Sequence, residues 1–260
     1  MFKLKVFSLG IIASLLLTLV LGSGTFAKGQ TLTSLEQLNE LAAKAEKDGI
    51  QRAWACDGKG NIHEVTEESG QVEFMDRNTN RAELIAKHAM SPEAEAKIVQ
   101  TVPPCPVIID GVLYQPEQIH LFDGQQLGFT VGNDGKLYAF TTDEALDKFV
   151  QEQRSQLQTR YTPVPQVLPT YGLFCANAGY IGSLVYGPTG TQIKDLSNIG
   201  WNFNDMISSE VIGSSVPDAD LYEDTNYQGN YFRQSGPWHS ENLSAYGWND
   251  RASSLIIWWF

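Results

Sequence analysis

Hydrophobic positions change rhythm along this chain, and the change marks where helices should give way to strands. Residues 33–48, TSLEQLNELAAKAEKD, set Leu35, Leu38, Leu41 and Ala42 on one stripe of a helix that Gly49 would end. QRAWAC and NIHEVT, split by the glycine-bearing DGKG, read as a hairpin, and NRAELIAKHAM returns to a helical pattern. From Pro106 the period shortens. PVIIDGVLY, LGFTVG and KLYAFT predict strands, with GNDG as the tight turn between the last two. TTDEALDKFVQEQRSQLQ then predicts a helix capped by Thr141 or Thr142, with Leu146, Phe149 and Val150 on one face. Residues 28–158 are therefore expected to form a small α+β region. Its hairpin-plus-helix unit could dock a partner, and scaffold is the simpler role.

Pro163, Pro165 and Pro169 disfavour both helix and central strand, so residues 159–170 predict an extended linker. Past it the helix-forming runs of Glu, Lys and Ala vanish, while Gly, Ser, Asn, Tyr and Trp rise. Residues 171–260 predict an all-β domain of short strands.

That last segment repeats itself. Shifted by 47 residues, Tyr180 falls on Tyr227, Gly182 on Gly229, Leu196 on Leu243 and Trp201 on Trp248. Two extra residues then enter the first copy, and at a shift of 45 NDMISS (from Asn204) meets NDRASS (from Asn249). The second copy opens with YEDTNYQG, in which Tyr222, Tyr227 and Gly229 suit a folded hairpin whose glycine takes a backbone few residues tolerate. The first copy departs from it, with Cys175 at the place of Tyr222 and Phe174 one position away.

These residues resemble the βγ-crystallin superfamily, in which an aromatic, four residues, an aromatic, any residue and a glycine open a Greek key. Microbial members add a calcium signature of two Asn/Asp, two variable residues, Ser/Thr and Ser. The resemblance covers about ninety residues, all of the C-terminal domain, and implies two Greek-key motifs packed as a β-sandwich. It further implies two calcium ions, each between one repeat's signature loop and the hairpin loop of the other. Carried over by position, Asp205, Ser208 and the Met206 carbonyl would meet the loop from Tyr222 to Asp224, with Glu223 supplying a ligand. Asp250, Ser253 and the Arg251 carbonyl would meet the loop from Cys175 to Asn177, with Ala176 supplying one. Asn204 and Asn249 complete the candidate metal set.

The chemistry agrees with calcium. Amide, carboxylate and hydroxyl oxygens are hard donors, and with no soft or nitrogen donor in the motif, zinc and copper are disfavoured. Glu223 and Asp224 make the first loop pair acidic, whereas Arg251 brings a positive charge to the second signature, so the Asp205 site is expected to bind more tightly. Because Asn, Asp and Ser favour turns in any case, NDxxSS as a plain strand-entry turn is the alternative.

Composition narrows the function further. Lys3 and Lys5, an apolar run and small residues ending at Ala27 read as a bacterial secretory signal peptide, residues 1–27. Its removal takes two lysines and no acid, moving the net charge from -12 to -14. So acidic a chain repels nucleic acid and anionic lipid, and no later stretch is apolar enough to span a membrane. Cys56, Cys105 and Cys175 allow at most one internal disulfide, with Cys56–Cys105 the candidate pair and three unpaired small hydrophobes the alternative. The four histidines are scattered, and neither a nucleophile elbow nor a phosphate-binding glycine loop occurs. The expectation is a secreted, non-catalytic calcium-binding protein. The alternatives are an extracellular metalloproteinase inhibitor, since one secreted bacterial inhibitor has this fold, and a cell-wall or carbohydrate adhesin using the aromatic residues.

Overall fold

The computed structural model describes residues 28–67, 72–155, 166–240 and 242–259. The expected signal peptide and residues 159–165 of the expected linker lie outside them. Two β-sheets face each other, and a helical layer covers the outer side of each.

The repeat folds as two Greek keys. The first comprises β8 (Tyr171–Asn177), β9 (Ile181–Pro188), β10 (Thr191–Ile193) and β11 (Ser209–Ile212). The second comprises β12 (Asp218–Asp224), β13 (Gln228–Ser235), β14 (Trp238–Ser240) and β15 (Ser254–Ile257). The third strand of each repeat crosses to the other repeat's sheet: β14 pairs with β11, and β10 pairs with β15. Neither copy can therefore close a sheet alone. Between the sheets lies the main core, which includes Phe174, Phe203, Phe232 and Trp248, all buried.

The N-terminal region extends both sheets. β1 (Ala53–Cys56) and β2 (Ile62–Val65) form the expected hairpin, and β1 then pairs with β9. In its turn, Asp57 accepts hydrogen bonds from the backbone N–H groups of Lys59 and Asn61. The strand β3 (Val72–Phe74), which the sequence pattern does not announce, pairs with β10. On the opposite side β6 (Gly128–Val131) runs parallel to β13, followed outward by β7 (Leu137–Phe140), β4 (Val107–Ile109) and β5 (Val112–Tyr114). The result is one sheet of six strands and one of nine. A β-sandwich of two Greek keys preceded by a small α+β region is the fold expected from the sequence.

Helix α1 (Lys28–Lys47) lies on the outside of the six-stranded sheet. Leu35, Leu38, Ala42 and Ala45 pack with Trp54, Tyr171 and Tyr186. Leu41, expected in the stripe, is 41 % exposed, because the sheet takes only the 35–38–42–45 row. Gly49, at φ 69°, ends the helix as its neighbour Ile50 donates to the Ala45 carbonyl at 2.9 Å. On the outside of the nine-stranded sheet lie α2 (Arg81–His88), capped by Asn80, the short α3 (Pro92–Glu95) and α4 (Asp143–Ser155), capped by Thr142. Leu146 and Val150 of α4 are buried as expected.

Charge as well as oil fixes this helical layer. Arg233 is fully buried on β13 and meets Asp220 through two bonds of 2.7 Å, Asp147 at 2.6 Å and Asp143 at 2.9 Å. Arg81 pairs with Asp218 at 2.7 Å and Asp147 at 3.1 Å, and Arg154 reaches Asp218 at 3.0 Å. A buried arginine is tolerable only with its donors met by carboxylates. Three arginines and four aspartates thus tie α2 and α4 to β12 and β13.

Cys56, Cys105 and Cys175 are all thiols, so the candidate Cys56–Cys105 disulfide is absent. The fold separates the two: Cys56 lies in the six-stranded sheet, and Cys105 stands ahead of β4 at the far end of the nine-stranded one. Among the described residues no helix is long and apolar enough to cross a membrane.

Candidate metal centre

The two signature loops meet back to back. Asp205 N–H donates to the Ala252 carbonyl at 2.9 Å, and Asp250 N–H donates to the Ile207 carbonyl at 3.1 Å, one bond the repeat image of the other. Both aspartates sit in the left-handed region, at φ 52° and 55°. Asn and Asp enter that region far more readily than other side chains, which is one reason the motif begins with them.

Each hairpin loop is held against a signature by the same set of bonds. Ser208 N–H donates to the Cys175 carbonyl at 2.9 Å, and Ser253 N–H to the Tyr222 carbonyl at 2.8 Å. The second serine of each signature acts on the hairpin alone. Ser209 accepts from Tyr180 N–H at 3.1 Å and donates to the Asn177 carbonyl at 2.7 Å. Ser254 accepts from Tyr227 N–H at 3.0 Å and donates to the Asp224 carbonyl at 2.6 Å. The glycines complete the loops. A Cβ on Gly182 (φ 87°) would run into the Asn177 side-chain amide, and one on Gly229 (φ 75°) would meet the Asp224 carboxylate at 2.8 Å.

The first serine of each signature faces oxygen. Ser208 Oγ lies 2.7 Å from the Ala176 carbonyl, 3.1 Å from Asp250 Oδ1 and 3.3 Å from the Met206 carbonyl. A hydroxyl has one hydrogen, so it can donate to only one of the three acceptors that converge on it. Hard oxygen donors from carboxylate, hydroxyl and carbonyl in one place fit a calcium ion's preferences. In the second cluster Ser253 Oγ lies 3.4 Å from Asp205 Oδ1. The repeat alignment puts Glu223 and Arg251 where the first cluster has Ala176 and Met206.

This corrects the grouping expected from the sequence. Asp205 was to share a site with Ser208, and Asp250 with Ser253; the structure crosses them, so that Asp250 joins Ser208 and Asp205 joins Ser253. The backbone exchange between the two loops is the physical cause, since it turns each aspartate toward the other repeat's serine. Asn204 and Asn249 also take a different part. Their amide nitrogens hold the outer oxygens of Asp205 and Asp250, at 2.7 and 2.5 Å, leaving the inner oxygens to the serines.

The two clusters differ in charge. Arg251 turns its guanidinium to the Glu223 carboxylate and to the Gly247 carbonyl at 2.7 Å, and stacks over Trp248 at 4.5 Å. Glu223 also accepts from Asn230 N–H at 3.1 Å. Its side chain is thus engaged, and what it can give a cation is its backbone carbonyl. Burial holds the Asp205 carboxyl above its ordinary value, and the Asp224 and Asp250 carboxylates add to the effect against the Ser253 hydrogen bond. The Ser208 cluster has no such neighbour from its hairpin, where Ala176 and Asn177 stand at the acidic positions. Among the described residues no group of three or more His, Cys, Asp and Glu side chains is arranged to hold a metal. The Ser208 cluster brings one carboxylate together with a hydroxyl and two carbonyls, and the Ser253 cluster one carboxylate with a hydroxyl. No local signal in the sequence separates the two serines of a signature or reveals the crossing, because both depend on how the repeats face each other.

Comparison with known structures returns βγ-crystallin domains. One from Clostridium beijerinckii is 24% identical over 34% of this chain and 98% of that chain, with a TM-score of 0.28. The βγ-crystallin of Ciona intestinalis is 20% identical over 34% and 98%, with a TM-score of 0.29. Spherulin 3a of Physarum polycephalum is 19% identical over 38% and 92%, with a TM-score of 0.31. No family model and no curated protein matches the chain.

Proposed function

We propose that this chain is an exported, non-catalytic calcium-binding protein, holding two ions at the crossed loops of its Greek-key pair. The observation that carries the reading is the convergence of one hydroxyl with three oxygen acceptors at Ser208. A cation there relieves acceptor lone pairs that the single hydroxyl hydrogen cannot satisfy. Asp250, Ser208 and the Met206 and Ala176 carbonyls would hold one ion. Asp205, Ser253 and the Arg251 and Glu223 carbonyls would hold the other. Because every such set draws on both repeats, calcium would staple one Greek key to its partner and stabilise the folded chain by mass action. The Asp205 site is the tighter of the two, and its advantage comes from Asp224, since Arg251 compensates Glu223.

Calcium titration by calorimetry tests the crossed arrangement. Asp250→Ala and Ser208→Ala are expected to abolish or weaken the same, weaker binding event, and Asp205→Ala and Ser253→Ala the tighter one. Loss of a common event by Asp205→Ala and Ser208→Ala instead would overturn the crossed ligand sets.

A further inference from the structure

Between α2 and the outer face of the nine-stranded sheet lies a cavity of about 210 Å³ that the calcium reading does not use. Its floor is aromatic. Tyr222 and Tyr231 stack with ring centroids 5.3 Å apart, Tyr227 meets Tyr222 edge-on at 5.8 Å, and Trp258 lies beside them. Leu84 and Ile85 of α2, with Phe140 at the end of β7, form apolar walls. Two acids line the cavity, Glu95 and Asp143, and no lysine or arginine does.

The charges around it are unevenly matched. Asp143 is compensated by Arg233 at 2.9 Å and by the Tyr231 hydroxyl, which donates to it at 2.9 Å. Glu95 accepts from Gln126 N–H at 3.0 Å and has no cationic partner among the described residues. With Asp143 included, three arginines face four aspartates in this layer, a surplus of one carboxylate before Glu95 is counted. His88, edge-on to Tyr227 at 4.5 Å, adds no fixed positive charge, since burial and the nearby Lys87 push it toward the neutral form. The same aromatic layer already holds cations on its rings. The Arg81 guanidinium lies 4.5 Å from the Trp258 centroid, and that of Arg233 lies 5.3 Å from Tyr231.

Electron-rich ring faces, an uncompensated carboxylate and no resident ammonium make a recognition site for an organic cation. An anion would meet Glu95 and Asp143. We infer that this cavity binds a small organic cation of the substituted-ammonium class, with its charge toward Glu95 and the tyrosine rings. The volume is below the roughly 300–1,000 Å³ of pockets for drug-sized ligands, which restricts the occupant to a compact molecule.

The test uses two probes of one shape on the full chain: choline and its neutral carbon isostere, 3,3-dimethylbutan-1-ol. Titration calorimetry and tryptophan fluorescence are expected to give saturable choline binding, with the alcohol weaker by at least about tenfold. Glu95→Gln should weaken choline severalfold and leave the alcohol unchanged, and Ile85→Trp, filling the cavity from α2, should abolish binding. If Ile85→Trp fails to fold, Glu95→Gln still decides the point. Equal affinity for the two probes would overturn the proposal, as would no saturable binding of either choline or benzyltrimethylammonium.

Discussion

At Ser254 a single hydroxyl satisfies a backbone donor and a backbone acceptor that folding has removed from water. It accepts from Tyr227 N–H and donates to the Asp224 carbonyl, and it is fully buried. Ser254→Ala orphans that N–H and is expected to cost about 1–3 kcal/mol, with calcium or with chelator. Ser253→Ala should remove only the calcium-dependent part of the stability. Thermal unfolding of both variants under the two conditions separates these roles. Glu210 makes a different prediction. It stands where the second repeat has Leu255, is fully buried, and its Oε1 has no hydrogen-bond partner among the described residues. Burial pushes its carboxyl up to about 8. Between its ordinary value and about pH 8 the folded chain therefore holds one more proton than the unfolded chain. Stability is greatest below that window and falls across it as pH rises, by several kcal/mol at most. Glu210→Gln should flatten the dependence of the unfolding temperature on pH between about 5 and 8; an unchanged slope would assign it to other groups. The residues of both signatures were legible in the sequence as oxygen donors at repeat spacing. Which aspartate meets which serine was not, because Asp205 and Ser253 are far apart along the chain and meet only through the exchange of backbone bonds between loops.

Elements were legible where their period was long. The stripe of α1, the helical pattern of α2 and the cap of α4 follow from spacing and side-chain chemistry, apart from Leu41, which the sheet leaves outside. The short strands were legible only in part. β3, of 3 residues, is too short for its alternation to announce it, while β1 and β6, of 4 each, were expected as strands but not with the partners they take. Their partners lie in the other half of the chain, at β9, β10 and β13. Pairing of that kind is decided by non-local contacts and by which edges the Greek keys leave open. The join between helical layer and sheet depends on Arg233 in the same non-local way, since Asp143 and Asp147 come from α4 and Asp220 from β12. Asp220→Ala takes from a buried guanidinium its two 2.7 Å partners and is expected to cost about 3–5 kcal/mol in urea unfolding. A loss below about 1 kcal/mol would mean that Asp143 and Asp147 suffice.

Taken whole, the molecule is a pair of interlocked repeats with a further region built onto both sheets. Strand exchange already prevents either Greek key from closing by itself, and the crossed loops repeat that interdependence at the scale of single side chains. Calcium bound there would act between repeats rather than within one, so its effect should be on the cooperative unfolding of the whole sandwich. The repeat, the Greek keys and the oxygen chemistry could be read from ninety residues of sequence. The six- and nine-stranded sheets could not, because they draw strands from both halves of the chain. The most direct measurement is calorimetric unfolding of the chain, titrated with calcium and compared with chelator. Two bound ions and an unfolding temperature that climbs with calcium are expected, about 2.7 kcal/mol being gained per site at a hundredfold excess over its dissociation constant. Identical unfolding with calcium and chelator, with no heat of binding, would contradict the account.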